Sequence, residues 1–298
     1  MRISNLKTEQ INPRTVNFSG MLVNERLEIF LHDYGIEAME AIRKARKEVE
    51  MAEKEITERM FYNSEKDPSE RSHLIFGGAG TPGRRSRQEA AEIDPTFGVK
   101  EVLSVNAGGI ESLIKSIEGA EDNYEQGKID IMQIAKPQDI IFGISASGRT
   151  PYVIGVIDKA KEIGCYTISL SNNPNSIIYQ KADLGIFVDS GPEIITGSTR
   201  LKSDLVHKTI MNFITTSVMT NLGYVEGNIM NGVQPNSEKL KIRRFAIYLS
   251  QQTGIEHQEA LNLSELLLRS NNFDTEKIKE VCICLNLPVS IPFYPLSV

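Results

Sequence analysis

The sequence predicts an α/β fold built on a parallel five-stranded sheet covered on both faces, flanked by N-terminal helices and a helical C-terminal region. Three observations predict it. Short apolar runs recur at "LIFGG" (74–78), "EVLSVN" (101–106), "DIIFGIS" (139–145), "CYTISLS" (165–171) and "LGIFVDS" (184–190). Most are rich in β-branched residues and bounded by Gly, Asn or Ser, as buried strands are. Helical segments at 83–92, 109–119 and 151–163 alternate with them, which implies right-handed crossovers and parallel pairing. Finally, the first and third runs lead into turns crowded with glycine and hydroxyl residues.

Taken in order, residues 1–22 read as extended and polar, with Asn12-Pro13 as a turn. From 24 to 61, Leu27, Phe30, Leu31, Ile36, Met39, Ile42, Ala45 and Val49 recur at helical spacing, and Gly35 is expected to divide two helices. The linker "NSEKDPSERS" leads into the strands. After residue 198 the reading is all helix, over 199–223, 236–253, 256–270 and 274–285. In the first of these Met211, Phe213, Ile214, Val218 and Met219 read as core or dimer seam, and His207 as a packed histidine rather than a catalyst. The tail "CICLNLPVSIPFYPLSV" is apolar and too broken by proline for a helix.

Composition excludes several classes. Across 298 residues the formal net charge is -6, so no global basic field invites nucleic acid. No apolar run approaches the roughly 20 residues of a membrane span, and the N-terminus lacks the apolar core of a signal peptide. Cys165, Cys282 and Cys284 have neither a disulfide pattern nor zinc-ligand spacing, which points to a reducing cytoplasm.

"GISASGRTPYV" reads as a strand end, a turn and a helix start, with Thr150 at the N-cap and Pro151 in the first helical position. Gly148 lets the backbone turn tightly, the helix start adds positive potential, and the hydroxyls of Ser145, Ser147 and Thr150 can donate to an anion. One phosphate group fits this inventory. A plain tight turn fits it too, and composition alone leaves both readings open. No P-loop lysine and no Gly-x-Ser-x-Gly elbow is present. The turn "GGAGTPGR" has the same character, with Gly80, Thr81 and Gly83 as candidate ligand contacts and Thr81-Pro82 again in the cap pattern. Its glycines match G-x-G-x-x-G, but the next strand closes on "SVNAGG" without the acidic residue of a dinucleotide site.

Together "TEQINP", "PTFGV", "EGAED", "GISASGRTPYVIGVIDKAKEIGC", "SNNPNS" and "GPEIITGSTRLKSDLVHK" resemble the N-acetylmuramic acid 6-phosphate etherase family, within the sugar isomerase (SIS) phosphosugar-binding superfamily. The resemblance implies a doubly wound SIS phosphosugar-binding domain over 63–228. An N-terminal arm with helices would precede it over 1–62, and a helical C-terminal region would follow over 229–298. It implies a homodimer, a phosphosugar substrate, and cleavage of a D-lactyl ether with neither metal nor organic cofactor. Glu92, before "PTFG", and Glu121, in "EGAED", match the family's two catalytic carboxylates. A base can remove the C2 proton beside an aldehyde, and an acid can assist the leaving oxygen; a buried carboxyl would be the one to stay protonated. Lys202 in "STRLK" is a candidate partner for the phosphate or the sugar.

The chain also departs from the family. Pro82 stands where a hydroxyl donor is usual, and "RRSRQEAAE" is far more basic than the family's apolar run. Glu89 holds an Asp position and Ala91 replaces the Ser beside the acid. These departures leave two other readings open, a non-catalytic phosphosugar sensor like the glucokinase regulatory protein and a phosphosugar isomerase.

Overall fold

A computed structural model describes residues 6–230, 242–243, 246–247, 249–250 and 254–269. The chain divides into two compact units, Met1–Ala91 with Glu101–Val218, and Glu92–Lys100 with Met219–Val298.

In the first unit the sheet has the order β2-β1-β3-β4-β5 and all its pairs are parallel. The strands are β1 (Leu74–Gly78), β2 (Val102–Asn106), β3 (Ile140–Ile144), β4 (Tyr166–Ser171) and β5 (Leu184–Phe187). Each falls inside the run that predicts it, because β1 and β3 are buried along their whole length and need continuous apolar sequence. The chain steps from β1 to β2 in one direction and from β3 to β4 to β5 in the other. With right-handed crossovers this winds helices onto both faces.

The helices between strands are α4 (Gly80–Phe97), α5 (Glu111–Ile114), α6 (Tyr124–Met132), α7 (Pro151–Ile163) and α8 (Ile177–Lys181). The bounds of α7 match the expectation. The segment 109–119 instead holds only the short α5, while α6 and α8 are additions. α6 was hidden by its central Gly127, a poor helix former in isolation. Tertiary packing explains the glycine. A Cβ on Gly127 would strike the carbonyl of Tyr152, and a Cβ on Gly155 would strike that of Tyr124. The two helices touch backbone to backbone through this reciprocal pair. Ile131, Tyr152, Val153, Val156 and Ile157 then close one core with Ile75 and Ile141.

Ahead of the sheet lie α1 (Val23–Ile29), α2 (Ala38–Lys44) and α3 (Arg46–Met60). Gly35 is not the divider: it sits inside a π-helical stretch over Phe30–Glu37 that joins α1 to α2. The interruption falls at Ala45, whose φ of -92 and ψ of 11 leave the helical region. The N-terminal residues are also less extended than expected, with single 3₁₀ turns at Lys7–Glu9 and Phe18–Gly20.

Beyond β5, α9 runs over Lys202–Asn221. The all-helical expectation then fails locally, since Val225–Glu226 and Ile229–Met230 pair as a short antiparallel hairpin, β6 and β7. It closes on Gly227, whose φ of 61 suits a tight turn. A helix over His257–Arg269 matches the predicted 256–270. The predicted segment 274–285 and the apolar tail lie outside the described residues. Those described residues hold no helix long and apolar enough to cross a membrane.

His207, on α9, is fully buried with no partner for either ring nitrogen. Burial pushes its pKa down to about 3. In the unfolded chain it takes up a proton below about 6.5, so stability is lost as pH falls from there toward the folded value. Between about pH 7 and about pH 5 the loss is about 2 kcal/mol. His207→Leu is expected to remove it, shrinking the pH dependence of urea unfolding by that amount. An unchanged pH dependence overturns the assignment.

Candidate functional site

The sheet register sets the site. Gly78, the last residue of β1, pairs with Asn106 of β2 and with Ile144 of β3. Three carboxyl ends therefore stand level, each about 4.8 Å from its neighbour. The chain reverses its winding between β1 and β3, and open sheets bind ligands at that switch point.

The turn after β3 is clamped from within. Ser145 is 2% exposed. Its hydroxyl accepts from the Gly148 N–H at 3.0 Å and lies 2.8 Å from the Thr150 hydroxyl. Thr150 is the N-cap residue of α7 and Pro151 follows it, as predicted. Gly148 has φ 65, and a Cβ there would run into Ser176 in "SNNPNS". The Gly148 carbonyl accepts from Ile178 N–H at 3.2 Å, which fastens the turn to α8. The hydroxyl inventory assigns all three groups to a ligand. Ser145 instead holds the turn, while Ser147 and Thr150 remain half-exposed beside the helix N-terminus. The Ser147 Oγ accepts from Arg149 N–H at 3.2 Å and lies 3.3 Å from the Ser145 Oγ, a contact in which either hydroxyl can donate.

The turn after β1 starts its helix earlier than the cap pattern suggests. Gly83 N–H donates to the Ala79 carbonyl at 3.4 Å, so α4 begins at Gly80 and Thr81 lies in its first turn rather than at the cap. Pro82 is accommodated there because first-turn N–H groups have no intrahelical acceptor. A Cβ on Gly83 would come 2.9 Å from the Gly78 carbonyl oxygen, so this position lets α4 lie close on β1.

The basic segment of α4 faces α9. Arg85 grips Asp204 through Nε at 2.9 Å and Nη2 at 2.8 Å. This bond to the buried carboxylate raises the Arg85 pKa. Glu89, 7% exposed, accepts from Thr215 Oγ1 at 2.6 Å and Asn212 Nδ2 at 2.7 Å. Arg84, half-buried, faces elsewhere: it lines a cavity of about 390 Å³ with Gly80, Ala107, Ser112, Glu118 and Glu121.

Glu121 reaches that cavity from a 3₁₀ turn over Ala120–Asp122, entered through Gly119 at φ 71. Glu92 is exposed on α4, in the segment that groups with the second unit. Both carboxylates are exposed in the single chain, where one buried carboxyl was expected. Lys202 is 1% exposed, with Nζ on Glu37 Oε2 at 3.1 Å. Its burial lowers its pKa, against the opposing pull of Asp33 and Glu193.

Two features escape a reading of the sequence. Glu193 is fully buried and accepts from the backbone N–H groups of Lys202 and Ser203, at 2.9 and 3.0 Å, at the start of α9. The N-terminal arm also docks on "SNNPNS": Lys7 N–H donates to Asn173 Oδ1 at 2.6 Å, and Asn173 Nδ2 donates to Thr8 Oγ1 at 3.3 Å. The only signal for the second contact is the pair of asparagines, Asn172 and Asn173, that follows β4. His32, Asp33 and Glu37 bring ligand atoms within 4.8 Å of one another, but the Arg14 guanidinium already contacts both carboxylates.

The family model for the glucokinase regulatory protein N-terminal SIS domain matches residues 55–161. The chain is 41% identical over 261 residues to an N-acetylmuramic acid 6-phosphate etherase of Lactococcus lactis, covering 87% of this chain and 84% of that protein. It is 37% identical over 290 residues to one of Oceanobacillus iheyensis, covering 96% and 94%. Among solved structures, a phosphoheptose isomerase from Francisella tularensis superposes with a TM-score of 0.50 at 13% identity, over 67% of this chain and 100% of that one. That likeness speaks for the shared sheet architecture.

Substitutions in the β3 turn separate scaffold from ligand contact. Gly148→Ala forces a side chain into left-handed backbone and against Ser176, and is expected to lower unfolding free energy by about 1–3 kcal/mol. Ser147→Ala is expected to leave stability unchanged and weaken phosphosugar affinity roughly ten- to hundredfold. Urea unfolding and titration calorimetry read the two effects; equal affinity in Ser147→Ala and the parent chain rejects the ligand role.

Proposed function

The chain belongs to the N-acetylmuramic acid 6-phosphate etherase family, and from that premise we propose that it cleaves the D-lactyl ether of N-acetylmuramic acid 6-phosphate, releasing D-lactate and N-acetylglucosamine 6-phosphate. One observation carries the reading: the clamped β3 turn and the cavity holding Glu121 stand on level strand ends of one sheet. From β3 across β1 to β2 is about 10 Å, the span of a hexose phosphate. A phosphate on Ser147, Thr150 and the start of α7 would extend its sugar over β1 toward Glu121. We place this chemistry in the cytoplasm, as the sparse cysteines suggest.

The steps balance without an added reactant other than water. In the ring-opened sugar the C1 aldehyde acidifies the C2 proton, which Glu121 takes. The electron pair forms a C2–C3 double bond, the C3–O bond breaks, and Glu92 delivers a proton to the departing lactate oxygen. Water then adds its hydroxyl to C3 while Glu92 accepts the water proton and Glu121 returns its own to C2. Both carboxyls regain their starting states. The expected signature is a split between variants. Glu92→Gln keeps exchanging the C2 proton with deuterated water while releasing lactate slowly. Glu121→Gln loses both activities by roughly 10²–10⁴-fold. Deuterium incorporation followed by NMR reads this. Exchange in Glu121→Gln but not in Glu92→Gln reverses the roles. Phosphosugar binding by the parent chain without exchange or lactate release supports the sensor reading.

We also propose that the chain acts as a homodimer. Of the α9 residues read as core or dimer seam, Met211, Ile214, Val218 and Met219 are each 0% exposed within one chain and Phe213 is 47% exposed. An uncovered apolar row lies earlier, at Leu22, Val23, Leu27, Leu31 and Ile36, which are 56–80% exposed. A second copy would bury it. Sedimentation equilibrium at micromolar concentration is expected to find about twice the 33.3 kDa chain mass, and Leu27→Glu to shift it toward one copy. A parent chain that sediments at its single-chain mass overturns the proposal.

A further inference from the structure

We propose that Arg84 holds the lactyl carboxylate of the substrate and is thereby the residue that distinguishes the lactyl ether from the plain amino sugar phosphate. The inference rests on the etherase reading above and adds to it the receptor for the second anionic group. A substrate of this class carries a phosphate and a carboxylate. The β3 turn suits the phosphate, and the carboxylate needs a cation close to the bond that breaks.

Arg84 is the sole cation among the described residues lining the cavity that contains Glu121. Its Nε donates to the Ser112 carbonyl at 2.9 Å, which fixes the plane of the guanidinium. The Nη1 and Nη2 fork is left without a partner among the described contacts. Glu118 and Glu121 line the same cavity, yet no described ion pair joins either of them to Arg84. The neighbouring arginines differ: Arg85 is engaged by Asp204 through Nε and Nη2 and by Gln88 through Nη1, and Arg87 reaches toward Ser104 at 3.4 Å. A planar fork with one fixed edge and an open edge matches a carboxylate by two parallel hydrogen bonds.

Electrostatics point the same way. A cavity bearing two glutamates repels an incoming carboxylate unless a cation offsets them. Arg84 does so from the first turns of α4, where the helix N-terminus adds positive potential. The carboxylate stays ionised throughout the reaction, so the same contact would hold the departing lactate while its hydroxyl takes up a proton. Arg84 is a specificity and positioning residue here, with no proton of its own to transfer.

A phosphate would also suit a guanidinium fork, so the test uses two ligands that share the phosphate and differ in the lactyl group. Titration calorimetry compares N-acetylmuramic acid 6-phosphate with N-acetylglucosamine 6-phosphate on the parent chain, Arg84→Gln and Arg84→Lys. Arg84→Gln is expected to weaken the first ligand by tenfold or more and leave the second within about twofold. Arg84→Lys, which keeps the charge but not the fork, is expected to fall between. In the lactate-release assay KM rises by the same factor as the dissociation constant. Equal weakening of both ligands assigns Arg84 to the phosphate or to the cavity wall and overturns the proposal, as does no weakening of either. Unfolding of Arg84→Gln is detected by its melting curve, and Arg84→Lys then decides. If the parent chain binds the muramic ligand but releases no lactate, the etherase reading fails while the two-ligand comparison still judges Arg84. If it binds neither ligand, both fall.

Discussion

α7 can lie where it does only because Gly127 and Gly155 carry no side chains. Each would otherwise push a Cβ into a backbone carbonyl of the facing helix. With that approach open, Tyr152 reaches Asp130 at 2.6 Å, and burial together with that bond raises the tyrosine pKa. Val153, Val156 and Ile157 meanwhile drop onto Ile75 and Ile141 of the sheet. The helix is held on two sides, so its N-terminus is aimed without reference to any ligand. The anion-binding potential of the β3 turn follows from that aim, and the turn only has to keep Ser147 and Thr150 at the helix start. Ser145 and Gly148 do so, one by an internal hydrogen bond and one by a backbone angle closed to other residues.

The basic run of α4 illustrates how burial redistributes charge. Asp204 is 3% exposed and would be costly without a cation beside it. Arg85 supplies that cation with a fork geometry suited to a carboxylate. Glu89 has the complementary role a turn further along the helix, taking hydrogen bonds from Thr215 and Asn212. A segment that reads as a basic surface stripe is thus largely a fastening between α4 and α9. Arg84 falls outside the fastening because helical geometry turns each residue by about 100° from the last. That single step separates the cavity wall from the helix contact.

Pro82 suggests a weakened first loop when the sequence is read alone. Its place in the first turn of α4 removes the objection as far as folding goes, since an N–H there has no helical partner to lose. The hydroxyl that a serine would offer is still missing. In compensation the loop keeps Gly80 on the cavity and Gly83 against Gly78. Gly83 therefore serves packing, where the turn pattern points to a ligand contact.

Much of this architecture was readable from local chemistry. The five strands and α7 were legible because fully buried parallel strands demand unbroken apolar runs, and because Thr-Pro after a glycine turn is a local helix-start signal. The level of the strand ends and the strand order that opens the crevice come from pairing across the sheet, which the runs alone do not fix. Elements whose signals run against propensity were not legible: α6 centres on a glycine that only α7 justifies, and the stretch around Gly35 stays helical where a break was expected. Nor can a linear pattern tell a self-covered helix from a dimer seam, so the apolar face of α9 stayed open as core or seam, and the exposure of Leu22, Val23, Leu27, Leu31 and Ile36 was not legible. Hydroxyl count offered three candidate donors but not which of them would be consumed in holding the turn, since that depends on Ser145 meeting the N–H of Gly148. The tertiary structure alone assigned those roles, because burial and partnership are properties of what lies across the fold, and residues such as Arg85 and Asp204, or Thr8 and Asn173, meet only once the chain has closed on itself.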